Sequence, residues 1–322
     1  MIHHLLVPGL LEPPPTAGES TPVLRAPALE LLLSRGDQEP AADRLETTLF
    51  ELFGLGDGAA AAPFCWLADS GEEATGWVMQ AAPVYLRADR DQLLLFELDE
   101  EQLSLADAEA YAAVFNEHFA EDGLKLKIAS PLRWYLFPQR PVEATFSPLS
   151  EVSGRSVAAF MPEGKDAAYW AGVANEIQML FFQLAEKREN EMQGAVPVSG
   201  LWFSSAGTLP SDRPVAPLEA EGDDCLLAGL MRYAAGTDAR HALHFLDGME
   251  RARRRQDAGA WQQALDDLGH RLDRLMSDAD ELYLYAGYGK AYHWKKHMKY
   301  RLWRSRQRFG SVLAELEKGK QV

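Results

Sequence analysis

The sequence predicts an α/β fold, a sheet with helices on both faces, into which a small α+β module is inserted. Short apolar runs that end at turn residues, such as Ala242–Leu246 before Asp247-Gly248, predict buried strands. Glu281–Tyr285 is a second run of this kind, and between the two Ala260–Met276 has apolar side chains at the spacing of an amphipathic helix. Strands and helices that alternate in this way favour a sheet covered by helices.

Length, charge and cysteine content limit the class of protein. A chain of 322 residues, 47% of them hydrophobic, can bury a large core. The formal net charge of −16 argues against non-specific binding of nucleic acid by the whole surface. The two cysteines, Cys65 and Cys225, provide no disulfide framework and suit a reducing compartment. With no apolar run of membrane-spanning length and no basic region before the first apolar run, we expect a soluble, cytoplasmic protein without membrane contact.

The N-terminal run Ile2–Leu11 predicts a first strand that reaches a turn at Pro8-Gly9. His3 and His4 are adjacent in this strand, so their side chains point to opposite faces and cannot easily share a metal ion. We therefore expect two histidines at the surface or at a sheet edge.

Two helices are predicted next, Ala26–Arg35 and Arg44–Gly54, and the first is expected to end at Gly36. The glycines of Gly54–Gly58 follow a helix rather than a strand and lack the spacing of a phosphate-binding loop. A connecting segment is the simpler interpretation.

A small α+β module is predicted over residues 82–137. Its helix is expected to begin at Ser104, where Ser104 and Asp107 have the spacing of a capping box. Strands are predicted on either side of this helix at Tyr85–Asp89, Leu93–Leu98, Leu124–Ala129 and Arg133–Phe137. We expect residues 1–80 and 150–322 to form the main α/β domain, 82–137 the insertion domain, and 138–149 a proline-containing linker.

The segment 175–207 connects a helix to a strand. Apolar residues at helical spacing in Ile177–Leu184 predict the helix, and Gly194 and Pro197 predict its end. Leu201–Phe203 then predicts a buried strand. Ser204–Gly207 would follow at its carboxyl end, where open α/β sheets bind ligands.

This segment resembles part of the archaeal-type cofactor-independent phosphoglycerate mutases, on Asn175–Met179, Gly194-x-x-Pro197 and Leu201-Trp202. It is more similar still to the RpfE-type regulatory protein family, a proteobacterial offshoot of those mutases. The module carries Pro83-Val84-Tyr85-Leu86-Arg87, also as in the mutases. The resemblance implies an alkaline-phosphatase-like sheet in degenerate form.

The resemblance also implies candidate ligand-binding residues, because the insertion domain of the mutases carries basic residues that hold a phosphorylated acid. Arg87, Arg90 and Arg133 are the candidates in this chain, and scattered surface arginines are the alternative interpretation. Further candidates in and near the segment 175–207 are Arg188, Ser204 and Ser205.

The mutases use two divalent metals, held by clustered Asp and His residues, and a serine nucleophile. Where metal-using members end the first strand with an aspartate, this chain has Pro8-Gly9. We therefore predict no catalytic residues, no metal and no cofactor. The expected function is a regulatory or interaction protein with a protein partner and a small phosphorylated or carboxylate ligand. The alternative is an active, divergent mutase or metal-dependent phosphomonoesterase that uses manganese.

The segment Lys290–Arg308 is basic and carries Trp294, Tyr300 and Trp303. This composition is typical of a surface that binds nucleic acid or another anionic partner, so nucleic acid is expected only here. The alternative is a docked C-terminal helix that buries Trp294, Met298 and Leu302.

Overall fold

The structure is a computed structural model that describes residues 1–15, 24–56, 58–90, 92–188 and 197–319. The chain divides into two compact units. The terminal unit consists of Met1–Asp57 and Arg213–Val322, and the central unit consists of Gly58–Asp212.

The helices and strands are numbered in chain order over both units. The α-helices are α1 (Pro27–Arg35), α2 (Leu45–Leu52), α3 (Ala61–Ser70), α4 (Leu105–His118), α5 (Leu149–Val152), α6 (Ala167–Arg188), α7 (Cys225–Tyr233), α8 (Gly248–Arg254), α9 (Ala258–Asp278) and α10 (Phe309–Gly319). The strands are β1 (Ile2–Leu6), β2 (Asp37–Pro40), β3 (Val78–Asp89), β4 (Gln92–Glu97), β5 (Leu124–Ser130), β6 (Arg133–Pro138), β7 (Ala144–Thr145), β8 (Glu163–Gly164), β9 (Gly200–Gly207), β10 (Val215–Glu221), β11 (Gly236–Phe245), β12 (Glu281–Tyr285) and β13 (Lys290–Lys295). Short 3₁₀ helices occupy Glu100–Gln102, Val157–Phe160 and Lys296–Tyr300.

The terminal unit is built on a six-stranded mixed sheet in the order β10-β11-β1-β12-β13-β2. The first four strands of this order are parallel, and β13 and β2 are antiparallel to their neighbours. In β1, His4 lies opposite Leu243 of β11 and Tyr283 of β12. The predicted α/β class, a mixed sheet with helices, is confirmed.

One face of this sheet forms the core of the terminal unit. Leu5, Leu282 and Leu284 point to this face and are fully buried. They pack with side chains of α1, α8 and α9. The amphipathic pattern predicted for α9 is confirmed, because its buried positions are Trp261, Leu265, Leu268, Leu272 and Met276. Asp257 caps this helix by accepting a hydrogen bond from the amide of Ala260.

The central unit packs helices α4 and α6 against an antiparallel sheet of β4-β3-β6-β5, with β9 paired to β3. Aromatic rings form much of this core, and the rings of Tyr111 and Phe181 meet edge to face at 4.7 Å. Ser104 caps the predicted helix, since its Oγ accepts from the amide of Asp107 at 3.1 Å and donates to Asp107 Oδ2 at 2.6 Å. The predicted strands and helix of residues 82–137 are present, but β3 begins at Val78, seven residues before the predicted start at Tyr85.

The division between the units differs from the predicted domain boundaries at two segments. Residues 58–80 and 150–212 were expected in the main domain, but they belong to the central unit. The physical reason is strand pairing, because β9 forms an antiparallel ladder with β3 from Gly200 opposite Val84 to Gly207 opposite Val78.

Three strands of the terminal sheet differ from the sequence prediction. Asp37–Pro40 and Val215–Glu221 are strands that were not predicted from the sequence. Both are edge strands, where proline is tolerated because one side of the strand needs no hydrogen bonds. Lys290–Lys295 is a strand, whereas the docked alternative for this segment was a helix.

Two further expectations bear on the compartment. Neither Cys65 nor Cys225 is a free thiol in the structure, so the cysteine content gives no support to a reducing compartment. In the parts of the chain that the structure describes, no helix has the length and apolar character needed to cross a bilayer.

Candidate functional site

The carboxyl ends of the parallel strands lie at one edge of the terminal sheet. Leu6 at the end of β1 is level with Phe245 of β11 and Tyr285 of β12. The loops that follow these strands therefore begin side by side. Ligands in open α/β sheets bind at such an edge.

A close approach between backbones shapes this edge. Gly9 follows β1 with a φ of 74°, in the left-handed region that favours glycine. A side chain at this position would put its Cβ 2.9 Å from a carboxylate oxygen of Glu250 and 3.1 Å from the Glu250 Cα. The loop after β1 can therefore lie against the first turn of α8 only because residue 9 is glycine.

Arginine side chains from α8 hold the carboxylates at this edge. Arg253 donates two hydrogen bonds of 3.1 Å to the two carboxylate oxygens of Glu250, a bidentate arrangement. Its Nη1 lies 3.6 Å from Glu12. Arg254 donates from Nε to Glu250 at 3.0 Å. Glu250 is only 16% exposed, so its charge is neutralised in a partly buried position.

Tyr288 completes the contacts of Glu12. Its hydroxyl donates to Glu12 Oε1 at 2.5 Å, and burial together with this hydrogen bond raises the pKa of Tyr288. The backbone of Tyr288 has a φ of 64°, a conformation that costs about 1 kcal/mol for a residue with a side chain. The tyrosine is held there between Gly287 and Gly289, both also at positive φ.

A second ion-pair group lies on the same strand-end loops. Arg251 of α8 contacts Asp247 at 3.1 Å and Asp223 at 3.6 Å. The side chains of Arg251 and Arg254 remain 54% and 50% exposed. We name the strand-end cluster as the set Glu12, Asp223, Asp247, Glu250, Arg251, Arg253, Arg254 and Tyr288.

The chemistry of the strand-end cluster follows from these contacts. A divalent cation would meet carboxylates that guanidinium groups already hold, and it would have to displace those groups. An anionic ligand would meet two half-exposed guanidinium groups, which bind phosphate and carboxylate in a planar, bidentate way. The cluster is therefore better suited to an anion than to a metal ion. In the described residues, no group of three or more His, Cys, Asp or Glu side chains is arranged to hold a metal ion.

These residues were not among the candidates predicted from the sequence. A usable signal was present, since Glu250–Arg255 contains four arginines directly after the strand that ends at Asp247-Gly248. The convergence of Glu12 and Tyr288 on Arg253 had no sequence signal, because those residues are far apart in the chain.

The arginines predicted as ligand-binding lie in the central unit and do not converge. Arg87 on β3 is exposed, and its guanidinium carbon lies 4.6 Å from the centroid of the Phe96 ring. Arg90 lies exposed in the turn after β3 with a φ of 55°. Arg133 pairs with Asp69 at 3.2 Å, near the hydrogen bond from Tyr135 to the same carboxylate.

The separation of two of these arginines follows from strand register. Gln80 of β3 lies opposite Tyr135 of β6 in an antiparallel pair, so Arg133 is level with residue 82. Arg87 is five residues further along, which corresponds to roughly 17 Å at about 3.3 Å per residue.

The two predicted serines lie within a strand and not at its carboxyl end. Ser204 is buried in β9 and donates to Gln80 Oε1 at 3.2 Å. Ser205, at a φ of 51°, occupies a bulge, where β9 has one residue more than β3 between two paired positions. Because β9 is antiparallel to β3, the argument from parallel strand ends does not apply to Ser204 and Ser205. Arg188 is the last residue of α6, and its side chain lies outside the described part of the structure.

A row of histidine and tyrosine side chains crosses the other face of the terminal sheet. His4 Nε2 and His241 Nδ1 are 2.8 Å apart, and His4 Nδ1 is 3.2 Å from the Tyr285 hydroxyl. The ring of Tyr283 stacks on His4 at 5.3 Å and on His293 at 4.4 Å. We call these residues the polar row: His241, His4, Tyr283, Tyr285 and His293.

The electrostatics of the polar row follow from its burial. His4 is 6% exposed, and burial, with the neighbouring His241 as the second cause, lowers the pKa of His4 to about 3. Burial also raises the pKa of Tyr283 to about 12. His3 lies on the opposite face, as strand alternation predicts, and is 3.0 Å from His244. The expectation of edge or surface histidines is wrong for His4, because β1 is an interior strand of the sheet.

Several chains of solved structures are similar to this chain. No protein-family model and no curated protein matches the chain. The chain is similar to a cofactor-independent phosphoglycerate mutase from Thermoplasma acidophilum, at 15% identity and a TM-score of 0.37, over 91% of this chain and 89% of that one. It is also similar to the PH0037 protein from Pyrococcus horikoshii, at 12% identity and a TM-score of 0.48, over 91% and 87% of the two chains.

Proposed function

We propose that this protein is a non-catalytic relative of the phosphoglycerate mutases that acts by binding, and that the strand-end cluster holds a small phosphorylated or carboxylate ligand. The observation that supports this most is the contact of Arg253 with both Glu12 and Glu250. At the sheet edge where a metal-using relative would place cations, this chain supplies the positive charge from its own side chains. A regulatory role through a protein partner is part of the same proposal.

The ligand would be held by the half-exposed arginines. The side chains of Arg251 and Arg254 keep about half of their surface open. Arg253 and Tyr288 would then position Glu12 and Glu250 and keep these carboxylates neutralised. No covalent step is required of any residue.

The competing function is an active mutase or phosphomonoesterase that uses manganese. The observation that favours it is the number of carboxylates at the same edge, namely those of Glu12, Asp223, Asp247 and Glu250. For this function, manganese would have to replace the guanidinium contacts.

The deciding experiment combines turnover and binding on the full chain. The protein is stripped of metal, reloaded with manganese, and assayed for mutase activity on 3-phosphoglycerate. Binding of the same compound is measured by calorimetry. We expect no turnover in either state and binding that weakens at least tenfold in Arg254→Gln. Manganese-dependent turnover would contradict the proposal.

Arg90→Gln is the matched control. Arg90 is also an exposed arginine, but it lies in the central unit and is one of the ligand-binding residues predicted from the sequence. If Arg90→Gln loses binding and Arg254→Gln binds normally, the ligand site lies at the predicted arginines of the central unit and not at the strand-end cluster.

A further inference from the structure

The segment Lys290–Arg308 is the basic part of an acidic protein. It contains eight Lys and Arg residues and no Asp or Glu, in a chain with a formal net charge of −16. Its first part is anchored in the fold, since Trp294 and Met298 are buried in the core of the terminal unit. The remainder is held on the surface by arginines.

Four cations of this segment are engaged in ion pairs. Arg301 and Arg304 both bind Asp37, which lowers the pKa of that carboxylate. Arg304 also donates to the carbonyl of Gly36 at 2.6 Å. The other two pairs are Lys295 with Glu281 and Arg306 with Glu30. These contacts fix the course of the chain from residue 301 to residue 306.

The other four cations have no carboxylate within ion-pair distance in the part of the chain that the structure describes. They are Lys290, Lys296, Lys299 and Arg308. Lys299 instead lies 5.0 Å from the centroid of the Tyr300 ring, a cation–π contact. Cations that form no ion pair with a carboxylate can neutralise phosphates of a ligand.

Large apolar side chains are exposed next to these cations. Tyr300, Leu302 and Trp303 are 67%, 76% and 78% exposed. The exposure of Leu302 contradicts the docked helix, which would have buried it together with Trp294 and Met298. Three such side chains in four residues form a concentrated apolar surface, which marks an interaction site.

An open polar groove lies beside Trp303. It has a volume of about 530 Å³ and is lined by Trp303 and Arg304 together with the polar side chains of Ser34, Gln38, Ser305 and Gln307. A groove with hydrogen-bonding walls and an aromatic ring fits a nucleobase. An anionic bilayer would contact Leu302 and the cations, but binding to a bilayer would not require the polar groove.

We propose that residues 296–308 bind single-stranded nucleic acid, with bases stacked on Trp303 and Tyr300 and phosphates bound by Lys296, Lys299 and Arg308. Stacking on aromatic side chains beside a basic track is the usual mode for single strands. The surface shares no residue with the strand-end cluster, so it goes beyond the proposed function and does not depend on it.

The test is binding of a fluorescently labelled 15-nucleotide deoxythymidine strand to the full chain, followed by anisotropy at 50 and 200 mM salt. We expect saturable binding that weakens with salt because cations are released from the phosphates. The variant Tyr300→Ala/Trp303→Ala should bind about tenfold more weakly or worse, the loss expected when two stacked bases are released. Trp303→Phe should restore part of the affinity.

A matched control and a charge variant sharpen the result. Met179→Ala/Phe182→Ala removes two side chains that are each 62% exposed in the central unit, and it should bind like the wild type. Lys296→Gln/Lys299→Gln should weaken binding and reduce its salt dependence. A truncation after Gly289 is unsuitable, because it removes β13 from the sheet.

Three outcomes would overturn the proposal. The first is absence of binding to the strand at 50 mM salt. The second is an equal loss in the Met179→Ala/Phe182→Ala control. The third is that the protein does not bind the nucleic acid but binds vesicles containing 30% phosphatidylserine, and that Tyr300→Ala/Trp303→Ala abolishes this vesicle binding. That result would assign the surface to an anionic membrane.

Discussion

The two faces of the terminal sheet use the same strands in different ways. On the apolar face, Leu5 and Leu282 pack with α9 and are fully buried without any polar partner. On the opposite face, β1 and β12 contribute His4 and Tyr283 to the polar row. Strand alternation thus separates a face that stabilises the fold by apolar burial from a face whose stability depends on hydrogen bonds and protonation.

The largest effect is expected on the apolar face. Leu265→Ala in α9 should lower the free energy of unfolding by about 2–5 kcal/mol, because a fully buried leucine leaves a cavity. Chemical denaturation measures this change. Asp273→Ala on the exposed side of the same helix is the control and should change stability by less than about 0.5 kcal/mol. Equal effects of the two variants would contradict the assignment of faces.

The second effect is a pH dependence of the polar face. His4 has a folded pKa of about 3 against about 6.5 when unfolded, so the unfolded state binds more protons between these values. Stability should therefore fall as the pH is lowered below about 6.5, by roughly 2 kcal/mol between pH 7 and pH 5 for this residue. Burial also lowers the pKa of His244, but this histidine lies with His3 on the opposite face, so its titration adds to the pH dependence without being part of the polar row.

Denaturation curves at pH 7 and pH 5 test this expectation. His4→Gln removes the titrating group and should lose less stability between the two pH values than the wild type does. An identical pH dependence in His4→Gln would show that His4 is not responsible.

The smallest effect is expected from one hydroxyl group. Tyr285→Phe removes the 3.2 Å hydrogen bond to His4 Nδ1 and should cost about 1 kcal/mol of stability. Tyr292→Phe is the matched variant, since Tyr292 is buried on the apolar face. A larger loss in Tyr292→Phe than in Tyr285→Phe would reverse the comparison of the two faces.

Residue patterns with a short range were predictable from the sequence. The stripe of α9 and the capping of α4 by Ser104 depend on residues within one or a few helical turns, and both are present as predicted. The α/β class followed from the same local patterns. The edge strands β2 and β10, which contain proline, were not predicted, because their formation depends on pairing with a neighbouring strand and not on their own composition.

The candidate sites depended on tertiary structure to a greater extent. Arg87, Arg90 and Arg133 have the right chemistry for an anion, but strand register keeps Arg87 and Arg133 apart. Arg253 gains its role only because β1 and β12 end beside α8 and bring Glu12 and Tyr288 to it.

The sequence by itself determined the α/β class, the amphipathic helices, the acidic charge of the chain and the basic character of Lys290–Arg308. The tertiary structure decided which arginines converge, which face buries His4, and that Leu302 and Trp303 stay exposed. The physical reason is the range of the interactions. Periodicity and capping act between neighbours in the chain, whereas strand pairing and burial join residues that can be 250 positions apart, such as His293 and Glu39 at 254.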